Sequence, residues 1–369
     1  MRFFNDKISL RQLQILLVLD LFGTGVITVP RVAAGFSGEN GWLATAAAVA
    51  VMLVYAYVAA SVSRIFPDKG FVEYSCRLLG RPLGLAAGFL LVAKIIIGIS
   101  LEMRIFIEVV RETMLLRTPY TVIFTCIIGA AAYAAGKGFE TRARLAELLA
   151  PLVFIPFTLV LLLAAIDADY TNLLPIMRTK SPADVIAGGI FIGTGYKGIE
   201  YLLLVHPFLE NPQGLRRAAL SAVGAIGGLI TLATAITIAT FGASGLTHQR
   251  WPFLEIMDTI NFPGAFLERQ DAIIMSIWII SVFAILSSGL FFSAIILKDA
   301  IRKGRHFHYV MAVIPLVYAV SILPENIVGL GEGNGLIDSI LMCLGLFYML
   351  ALPLLLITLA HFNKRRLGR

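Results

Sequence analysis

Long apolar runs separated by short polar gaps constrain this sequence more than any other feature. A helix needs ~20 apolar residues to cross the ~30 Å hydrocarbon core of a bilayer, and runs of this kind recur from one end of the chain to the other. Hydrophobic residues make up 58% of the sequence and charged residues only 14%, a balance that the surface of a water-soluble globule could not sustain. The chain is therefore predicted to be an all-α integral membrane protein.

The apolar runs predict ten transmembrane helices. Their predicted bounds are 9–34, 42–64, 83–112, 119–136, 144–166, 183–205, 217–241, 271–298, 308–323 and 336–361. Of the 30 Lys and Arg residues, 20 fall in the termini and in the connections on the same side of the membrane as the termini, among them Arg142 before the fifth span. Cytoplasmic connections carry such an excess, so both termini are predicted to be cytoplasmic. The net charge of +7 follows this topology and does not indicate a nucleic-acid partner.

Two connections are predicted to contain short helices. The longest external connection, 242–270, includes WPFLEIMDTINF, whose apolar residues recur at helical spacing, and a short helix over the external mouth is expected. The connection after the second span reads RIFPDKGFVEYSCRLLG. Phe71, Tyr74 and Leu78 in it share one helical face and predict a helix at the membrane interface. The N-terminus has no cleavage site for a signal peptidase, so the first span is expected to be retained.

No metal, cofactor or catalytic site is expected from the residue patterns. Cys76, Cys126 and Cys343 are scattered without CxxC spacing and are predicted to be small buried hydrophobes. The sequence contains no GxSxG, HExxH, Walker or dinucleotide-binding pattern, and its five histidines fall in connections or at helix ends. The chain is therefore not expected to be an enzyme.

Two glycine triplets lie near the middle of the first and sixth spans, at corresponding depths. They are Gly23, Thr24 and Gly25, and Gly193, Thr194 and Gly195. Non-helical backbone is tolerated inside a membrane only where it lines a protein-walled cavity. The free N–H groups at the start of a half-helix bind a carboxylate, and the free C=O groups at the end of one accept from an ammonium or hold a small cation. The triplets predict a site for an amino acid; the alternative is that these glycines only allow close helix packing.

Ionisable residues at membrane depth flank both triplets, and burying one costs at least ~2.5 kcal/mol. Lys94 is level with the triplets, where its ammonium either replaces a bound sodium ion or reaches the cytoplasmic surface along its flexible stem. Glu102 is expected to pair with Arg104 or Lys197. If helix resumes after the sixth-span triplet, Lys197 and Glu200 share a face and neutralise each other.

Three further polar residues are candidates. Asp20 lies one turn before the first triplet and is a hypothetical proton-coupling group. Ser287 and Ser288 in the eighth span either offer hydroxyl oxygens toward the first triplet or only pack there. The outer end of the third span is expected to be an ion-paired structural cluster of Arg104, Glu108, Arg111 and Glu112.

Three segments resemble a known family. They are ISLRQLQILLVLDLFGTGVITVP at the start, FIGTGYKGIEYLLLVHPFL in the sixth span, and WPFLEIMDTINFPGAFLERQDAIIMSIWII after the seventh. Over essentially its whole length the chain resembles the GerAB-type B subunits of spore germinant receptors, within the amino-acid, polyamine and organocation superfamily. The resemblance implies a LeuT-like fold of two inverted five-helix repeats with helices one and six broken. A single domain over 1–369 would hold repeat one at about 9–166 and repeat two at about 183–323, with the last helix reaching 361.

As a function, the resemblance implies a subunit in the inner spore membrane that binds a small nutrient germinant, often an amino acid, and works with an A subunit and a lipoprotein C subunit. The pocket carried over by position is Gly23, Thr24, Gly25, Gly193, Thr194 and Gly195, flanked by Tyr196, Lys94 and Gly98. Candidates for ion or proton coupling are Asp20, Lys94, Glu102, Lys197, Glu200, Ser287 and Ser288. The alternatives are a proton- or cation-coupled amino-acid transporter and, less favoured, a conduit for water or ions.

Overall fold

The chain folds into a helical bundle. The computed structural model describes residues 6–23, 25–66, 69–177, 180–259, 270–324 and 335–362. Its α-helices are α1 (Leu10–Phe22), α2 (Gly25–Ser37), α3 (Gly41–Ile65), α4 (Phe71–Leu79), α5 (Arg81–Thr113), α6 (Tyr120–Gly136), α7 (Phe139–Asp167), α8 (Pro182–Gly195), α9 (Leu215–His248), α10 (Pro252–Thr259), α11 (Gln270–Ile301), α12 (His306–Ser321), α13 (Leu336–Leu346) and α14 (Leu352–Phe362). Short 3₁₀ turns join several of them, and a π-turn, Phe347–Ala351, joins α13 to α14.

The predicted all-α membrane fold is confirmed. Six segments are long and apolar enough to cross a bilayer by length and composition: Gly25–Ile65, Arg81–Thr113, Phe139–Asp167, Pro212–His248, Met275–Ile301 and Leu336–Ala360. Two shorter apolar helices, α6 and α12, lie where the fourth and ninth spans were predicted. Most helix ends fall within a few residues of the predicted bounds, because an apolar run ends at the polar membrane surface. The number of ten spans stays a prediction.

The broken segments occupy the middle of the bundle. Helix α1 packs against α7, α9 and α11, whereas α2 packs against α3, α8 and α9. Helices α5 and α11 pack against each other on a further side, with α6 and α12 beside them. The chain before α1 is held by backbone hydrogen bonds, from Ile8 N to Phe208 O at 2.8 Å and from Glu210 N to Ile8 O at 3.1 Å.

The helix predicted after the second span is present as α4, with Phe71, Tyr74 and Leu78 buried on one face, and its place at the membrane interface stays a prediction. It lies very close to the start of α5. A Cβ at Gly84 would come within 2.4 Å of the Cys76 backbone, so only glycine allows this approach. In the predicted external connection, α9 continues to His248 past a non-helical residue at Gly242, and the short helix α10 follows.

Parts of that connection, 260–269, lie outside the described residues, and they include the LER segment of the family resemblance. The prediction of buried cysteines is wrong. Cys126 and Cys343 are exposed and Cys76 is half-buried. The outer surface of a membrane bundle is as apolar as its core, so apolar surroundings in the sequence do not distinguish the two.

Candidate functional site

The first span is broken where its glycines predict. Helix α1 ends at Phe22, Gly23 has φ 11° and ψ −131°, and α2 begins at Gly25. Thr24 lies outside the described residues. The end of α1 is anchored by Phe22, whose ring meets those of Phe154 and Phe157 edge-on at centroid distances of 5.1 and 4.8 Å. The C=O groups at the end of α1 and the N–H groups at the start of α2 therefore face the middle of the bundle.

The break in the sixth span falls three residues later than predicted. Gly193, Thr194 and Gly195 form the last turn of α8, and the chain leaves the helix at Tyr196, with φ −62° and ψ 131°. Gly198 follows in the left-handed region at φ 93°. Beyond it the backbone forms 3₁₀ turns, Ile199–Leu203 and His206–Phe208, so the condition under which Lys197 and Glu200 would share an α-helical face is not met.

The glycines of the sixth-span triplet have different surroundings. A Cβ at Gly193 would lie 3.2 Å from the Ala48 carbonyl oxygen, so this glycine serves close packing of α8 on α3. The Thr194 hydroxyl donates to the Ile190 carbonyl oxygen of its own helix at 2.8 Å. A Cβ at Gly195 would meet nothing within 4 Å. Gly195 is thus the member of the triplet that faces open space.

That open space is a cavity of about 140 Å³ between the two breaks, several times what one water needs. It is lined by Asp20, Leu21, Gly23, Gly25, Thr28, Val29, Val32, Leu101, Glu102, Ile105, Phe191, Ile192, Gly195, Tyr196, Lys197, Ile285, Asp338, Leu341 and Met342. Because Thr28, Val29 and Val32 lie on successive turns of α2 beyond the break, the cavity extends from the breaks away from the N-terminus. The Tyr196 hydroxyl lies 3.0 Å from the position of a Cβ at Gly25. The two breaks therefore meet at one end of the cavity, which we call the cavity floor.

The predicted site residues separate into two groups. The cavity lining includes Gly23, Gly25, Gly195, Tyr196, Asp20, Glu102 and Lys197. Behind that lining are Lys94, Gly98, Gly193, Thr194, Glu200, Ser287 and Ser288. The sequence argument missed α13, which contributes Asp338, Leu341 and Met342. Asp338 was detectable as an acidic residue two positions inside the apolar tenth span.

Two ion pairs join α5 to the segment after the second break. The Lys197 ammonium lies 2.8 Å from the Glu102 carboxylate, which is one of the two pairings predicted for Glu102. The Lys94 ammonium lies 3.0 Å from the Glu200 carboxylate. The predicted pair of Lys197 with Glu200 is wrong, since the chain there is not α-helical and the two side chains reach different turns of α5. Gly98 lies between these turns, and a Cβ there would sit 3.5 Å from Lys197 Cγ.

Lys94 is buried, with a side chain only 6% exposed, so the alternative in which it reaches the cytoplasmic surface is wrong. Glu102 also touches the first break, with one carboxylate oxygen 3.2 Å from the position of a Cβ at Gly23. Of the predicted outer cluster, Arg104 pairs with Glu108 at 3.1 Å. Glu112 instead accepts from Arg250 at 2.5 Å and from Trp251 at 2.9 Å.

Arg142, predicted to lie in a cytoplasmic connection, is instead buried beside the first break. Its guanidinium donates to the hydroxyls of Ser287, at 3.3 Å, and of Ser288. The Ser288 hydroxyl in turn donates to the carboxylate of Asp20, at 2.8 and 2.7 Å from its two oxygens. The guanidinium also lies over the Phe291 ring at 5.3 Å. Helices α1, α7 and α11 are thus joined through one cation.

The position of Arg142 has a signal in the sequence. Helix α7 begins at Phe139, five residues before the predicted start of the fifth span. Phe139, Ala143 and Ala146 form a buried face at helical spacing, and Arg142 lies on that face rather than with Glu140 and Arg144. Because the predicted fifth span begins at 144, Phe139, Arg142 and Ala143 fall in the predicted connection instead of in the helix.

Charged side chains of both signs surround the breaks. The acidic residues are Asp20, Glu102, Glu200 and the cavity-lining Asp338, and the basic residues are Lys94, Arg142 and Lys197. Their formal charges sum to −1, and both a cation and an anion are available to a ligand in the cavity lining. Among the described residues, no group of three or more His, Cys, Asp or Glu side chains is arranged to hold a metal ion.

Comparison with known proteins extends these observations. A family model described as spore germination protein matches residues 7–328. The spore germination protein YndE of Bacillus subtilis is 22% identical over 362 residues, which are 98% of each chain. The crystal structure of MhsT in complex with L-phenylalanine matches with a TM-score of 0.66 at 12% identity, over 93% of this chain and 87% of that one.

A second solved structure, a Na⁺-coupled sialic acid symporter in its substrate-bound outward-open state, matches with a TM-score of 0.63 at 11% identity, over 94% of this chain and 80% of that chain. These likenesses show the fold alone, and it is the LeuT-like transporter fold that the broken first and sixth spans predict.

Proposed function

This chain belongs to the family of spore germination proteins, and on that premise we propose that it is the B subunit of a nutrient-germinant receptor. It binds a small amino acid in the cavity between the two breaks, and binding triggers germination of the spore. Following the family resemblance, its partners are an A subunit and a lipoprotein C subunit, and its location is the inner spore membrane with both termini cytoplasmic.

The polarity of the cavity floor carries this proposal. Helix α2 begins at Gly25 with free N–H groups and the positive end of its dipole. Helix α8 ends at Gly195 with free C=O groups and the negative end of its dipole. A carboxylate fits at the start of α2 and an ammonium fits at the end of α8. Lys197 and Glu102 add a cation and an anion at the same level.

The walls above the floor favour a ligand with a small apolar side chain. Val29, Val32, Ile105 and Phe191 line the cavity on its α2, α5 and α8 sides. Its volume of about 140 Å³ suits a small molecule. An amino acid with a short aliphatic side chain would bury that side chain against these residues, at about 25 cal/mol per Å² of apolar area.

Signalling requires that the germinant bind two arrangements of the bundle with different affinities. The lining comes from α1, α2, α5, α8, α11 and α13, so closure of these helices around the ligand would change their packing. A ligand bound to one arrangement stabilises it by its differential affinity alone, and no net transport is needed. The receptor hypothesis therefore predicts saturable binding without accumulation.

The test uses purified protein with L-alanine and other small amino acids as probes. Gly195→Leu would place a large side chain in the cavity, where it would clash with a bound ligand. A clash that costs ~1–3 kcal/mol corresponds to a loss of affinity of roughly tenfold or more. Gly129→Leu is the matched control, since Gly129 lies in α6 with nothing within 4 Å of its Cβ position and away from the cavity. Unchanged affinity in Gly195→Leu would refute the placement.

The second candidate is an amino-acid transporter coupled to protons or cations. The acidic Asp20 in the cavity lining beside the first break favours it. Uptake of radiolabelled amino acid into proteoliposomes separates the two functions. Accumulation driven by a gradient would establish transport and exclude a pure receptor, whereas binding without uptake would exclude the transporter.

A further inference from the structure

A charged groove lies outside the central cavity, on the side of the bundle where the N-terminus lies. It runs between α4, the start of α5 and the end of α11, and it consists of two adjoining hollows of about 290 and 610 Å³. The two hollows share Val72, Glu73, Asp299 and Arg302. One wall is the amphipathic helix α4, whose buried face holds it against the bundle.

The groove is predominantly cationic. Five basic residues line it: Arg77, Arg81, Lys298, Arg302 and Lys303. Its two carboxylates belong to Glu73 and Asp299, so the formal balance is five minus two, or +3. Glu73 pairs with Arg77 at 3.2 Å along α4. In the described part of the chain, Arg81 and Arg302 form no salt bridge, and both are exposed at the groove.

The polar groove continues into apolar surface. Leu85 lines it one turn after Arg81. One further turn along α5, Phe89 lies on the same side of the helix as Leu85 and is 48% exposed. Since α5 is one of the membrane-crossing segments, this apolar surface extends from the level of the headgroups toward the hydrocarbon. A soluble anion would use only the cations, whereas a molecule with a polar head and an acyl chain would use both parts.

We propose that this groove binds an anionic phospholipid whose headgroup carries hydroxyl groups, as in phosphatidylglycerol. The guanidinium groups of Arg81 and Arg302 hold the phosphate, because the planar guanidinium matches phosphate oxygens in a fork. The carboxylates of Glu73 and Asp299 accept hydrogen bonds from the headgroup hydroxyls. The acyl chains lie along Leu85 and Phe89 of α5. This inference does not depend on the proposed germinant or on the receptor partners.

The groove also connects three helices of the bundle. Helices α4 and α5 supply one wall, and the other wall consists of Lys298 and Asp299 at the end of α11 and Arg302 just after it. Helix α11 carries Ser288 of the Arg142 and Asp20 network. A lipid bound between these walls would contact α11, the helix whose Ser288 is hydrogen-bonded to Asp20 just before the first break.

The experiment measures lipid affinity by native mass spectrometry of the full-length protein, titrated with phosphatidylglycerol or phosphatidylcholine. Replacing both arginines, Arg81→Gln with Arg302→Asn, is expected to weaken phosphatidylglycerol binding about 30-fold. Each basic residue near an anionic lipid headgroup strengthens binding about fivefold, and two such losses multiply. Asparagine is chosen for Arg302 because this residue has φ 58°, a conformation that asparagine adopts readily. Arg81→Gln alone is expected to lower the affinity about fivefold, and this single variant can be measured if the double variant folds poorly.

The matched control is Arg216→Gln with Arg217→Gln, two exposed arginines on the same side of the bundle at the start of α9. This control is expected to keep full affinity for phosphatidylglycerol. Equal binding of phosphatidylcholine, or equal losses in the control and groove variants, would overturn the proposal. Displacement of the lipid by an equal concentration of glycerol phosphate would also overturn it, since the site would then be one for soluble anions.

Discussion

At the scale of residues, six charged side chains near the breaks have partners on other elements of the bundle. Lys94 meets Glu200, Lys197 meets Glu102, and Asp20 reaches Arg142 through a serine hydroxyl. Buried charges are tolerated only with such partners, because moving an unpaired charge out of water costs several kcal/mol. The first two pairings therefore hold α5 against the segment after α8, and the third holds α1 against α7 and α11.

The two members of the pair at the cavity floor differ in burial, which predicts unequal effects. Lys197→Gln removes an ammonium from a carboxylate group that is 0% exposed, and the expected loss of stability is ~3–5 kcal/mol. Glu102→Gln leaves an ammonium whose side chain is 20% exposed and can be hydrated, so a smaller loss is expected. Thermal unfolding in lipid nanodiscs measures both variants.

Arg144→Gln is the control for these variants, since Arg144 pairs with Glu140 at 2.8 Å with its own side chain 71% exposed. A surface pair of this kind contributes at most ~1 kcal/mol. Equal destabilisation by Lys197→Gln and Glu102→Gln would contradict the argument from burial.

The Arg142 network predicts a coupling between distant positions in the chain. Arg142→Met leaves the Asp20 carboxylate buried without its cation, and we expect a loss of ~3–5 kcal/mol. Adding Asp20→Asn removes the anion and should recover part of that loss, with a coupling energy of ~1–3 kcal/mol in a double-mutant cycle. Arg142→Lys should fall between the wild type and Arg142→Met, because one ammonium cannot reproduce the fork on two hydroxyls. Strictly additive losses would refute the network.

At the scale of elements, the site depends on how closely α13 approaches the end of α8. A Cβ at Gly345 would lie 2.5 Å from the Thr194 carbonyl oxygen, which belongs to backbone that cannot move aside. Helix α13 carries Asp338 in its first turn, and Leu341 and Met342 line the cavity with it. The close approach of Gly345 to Thr194 therefore determines how near these three side chains lie to the end of α8.

Gly345→Ala is expected to displace α13 from α8. The predicted loss of stability is ~1–3 kcal/mol from overpacking, together with weaker ligand binding because Asp338, Leu341 and Met342 move with the helix. Gly228→Ala in α9 is the control, since a Cβ there meets nothing within 4 Å. Thermal unfolding and a binding isotherm for L-alanine measure the two effects. Unchanged binding in Gly345→Ala would show that α13 does not shape the site.

At the scale of the whole molecule, the helices form a LeuT-like bundle whose orientation in the membrane is still a prediction. The turn between α5 and α6 and the turn between α6 and α7 lie at opposite ends of α6. If the N-terminus is cytoplasmic, the first turn is external and the second is cytoplasmic. Leu116 is exposed in the first turn and Lys137 is exposed in the second.

Single cysteines at these turns test the orientation. In a protein whose three native cysteines are replaced by alanine, Leu116→Cys is expected to react with a membrane-impermeant maleimide in right-side-out vesicles. Lys137→Cys is expected to react only after the vesicles are opened with detergent. The reverse pattern would place the termini outside, and equal labelling of both would show that α6 does not cross the membrane.

Apolar length was sufficient to predict most of the helices. The span predicted at 83–112 is α5, Arg81–Thr113, and the span predicted at 119–136 is α6, Tyr120–Gly136. Glycine was sufficient to predict a break near Gly23, but it misplaced the second break, because Gly193 and Gly195 tolerate helix as well as they tolerate its interruption. The residue that leaves the helix is Tyr196, whose conformation depends on contacts outside α8.

The sequence by itself determined that the chain is a helical membrane protein with an interruption near Gly23, since the bilayer excludes unpaired backbone and most charge from its hydrocarbon core. Only the tertiary structure decided which charges meet, that Arg142 lies inside the bundle, and that α13 closes one side of the cavity. Those outcomes depend on side chains far apart in the chain, and an apolar run has the same composition whether it faces the core or the lipid.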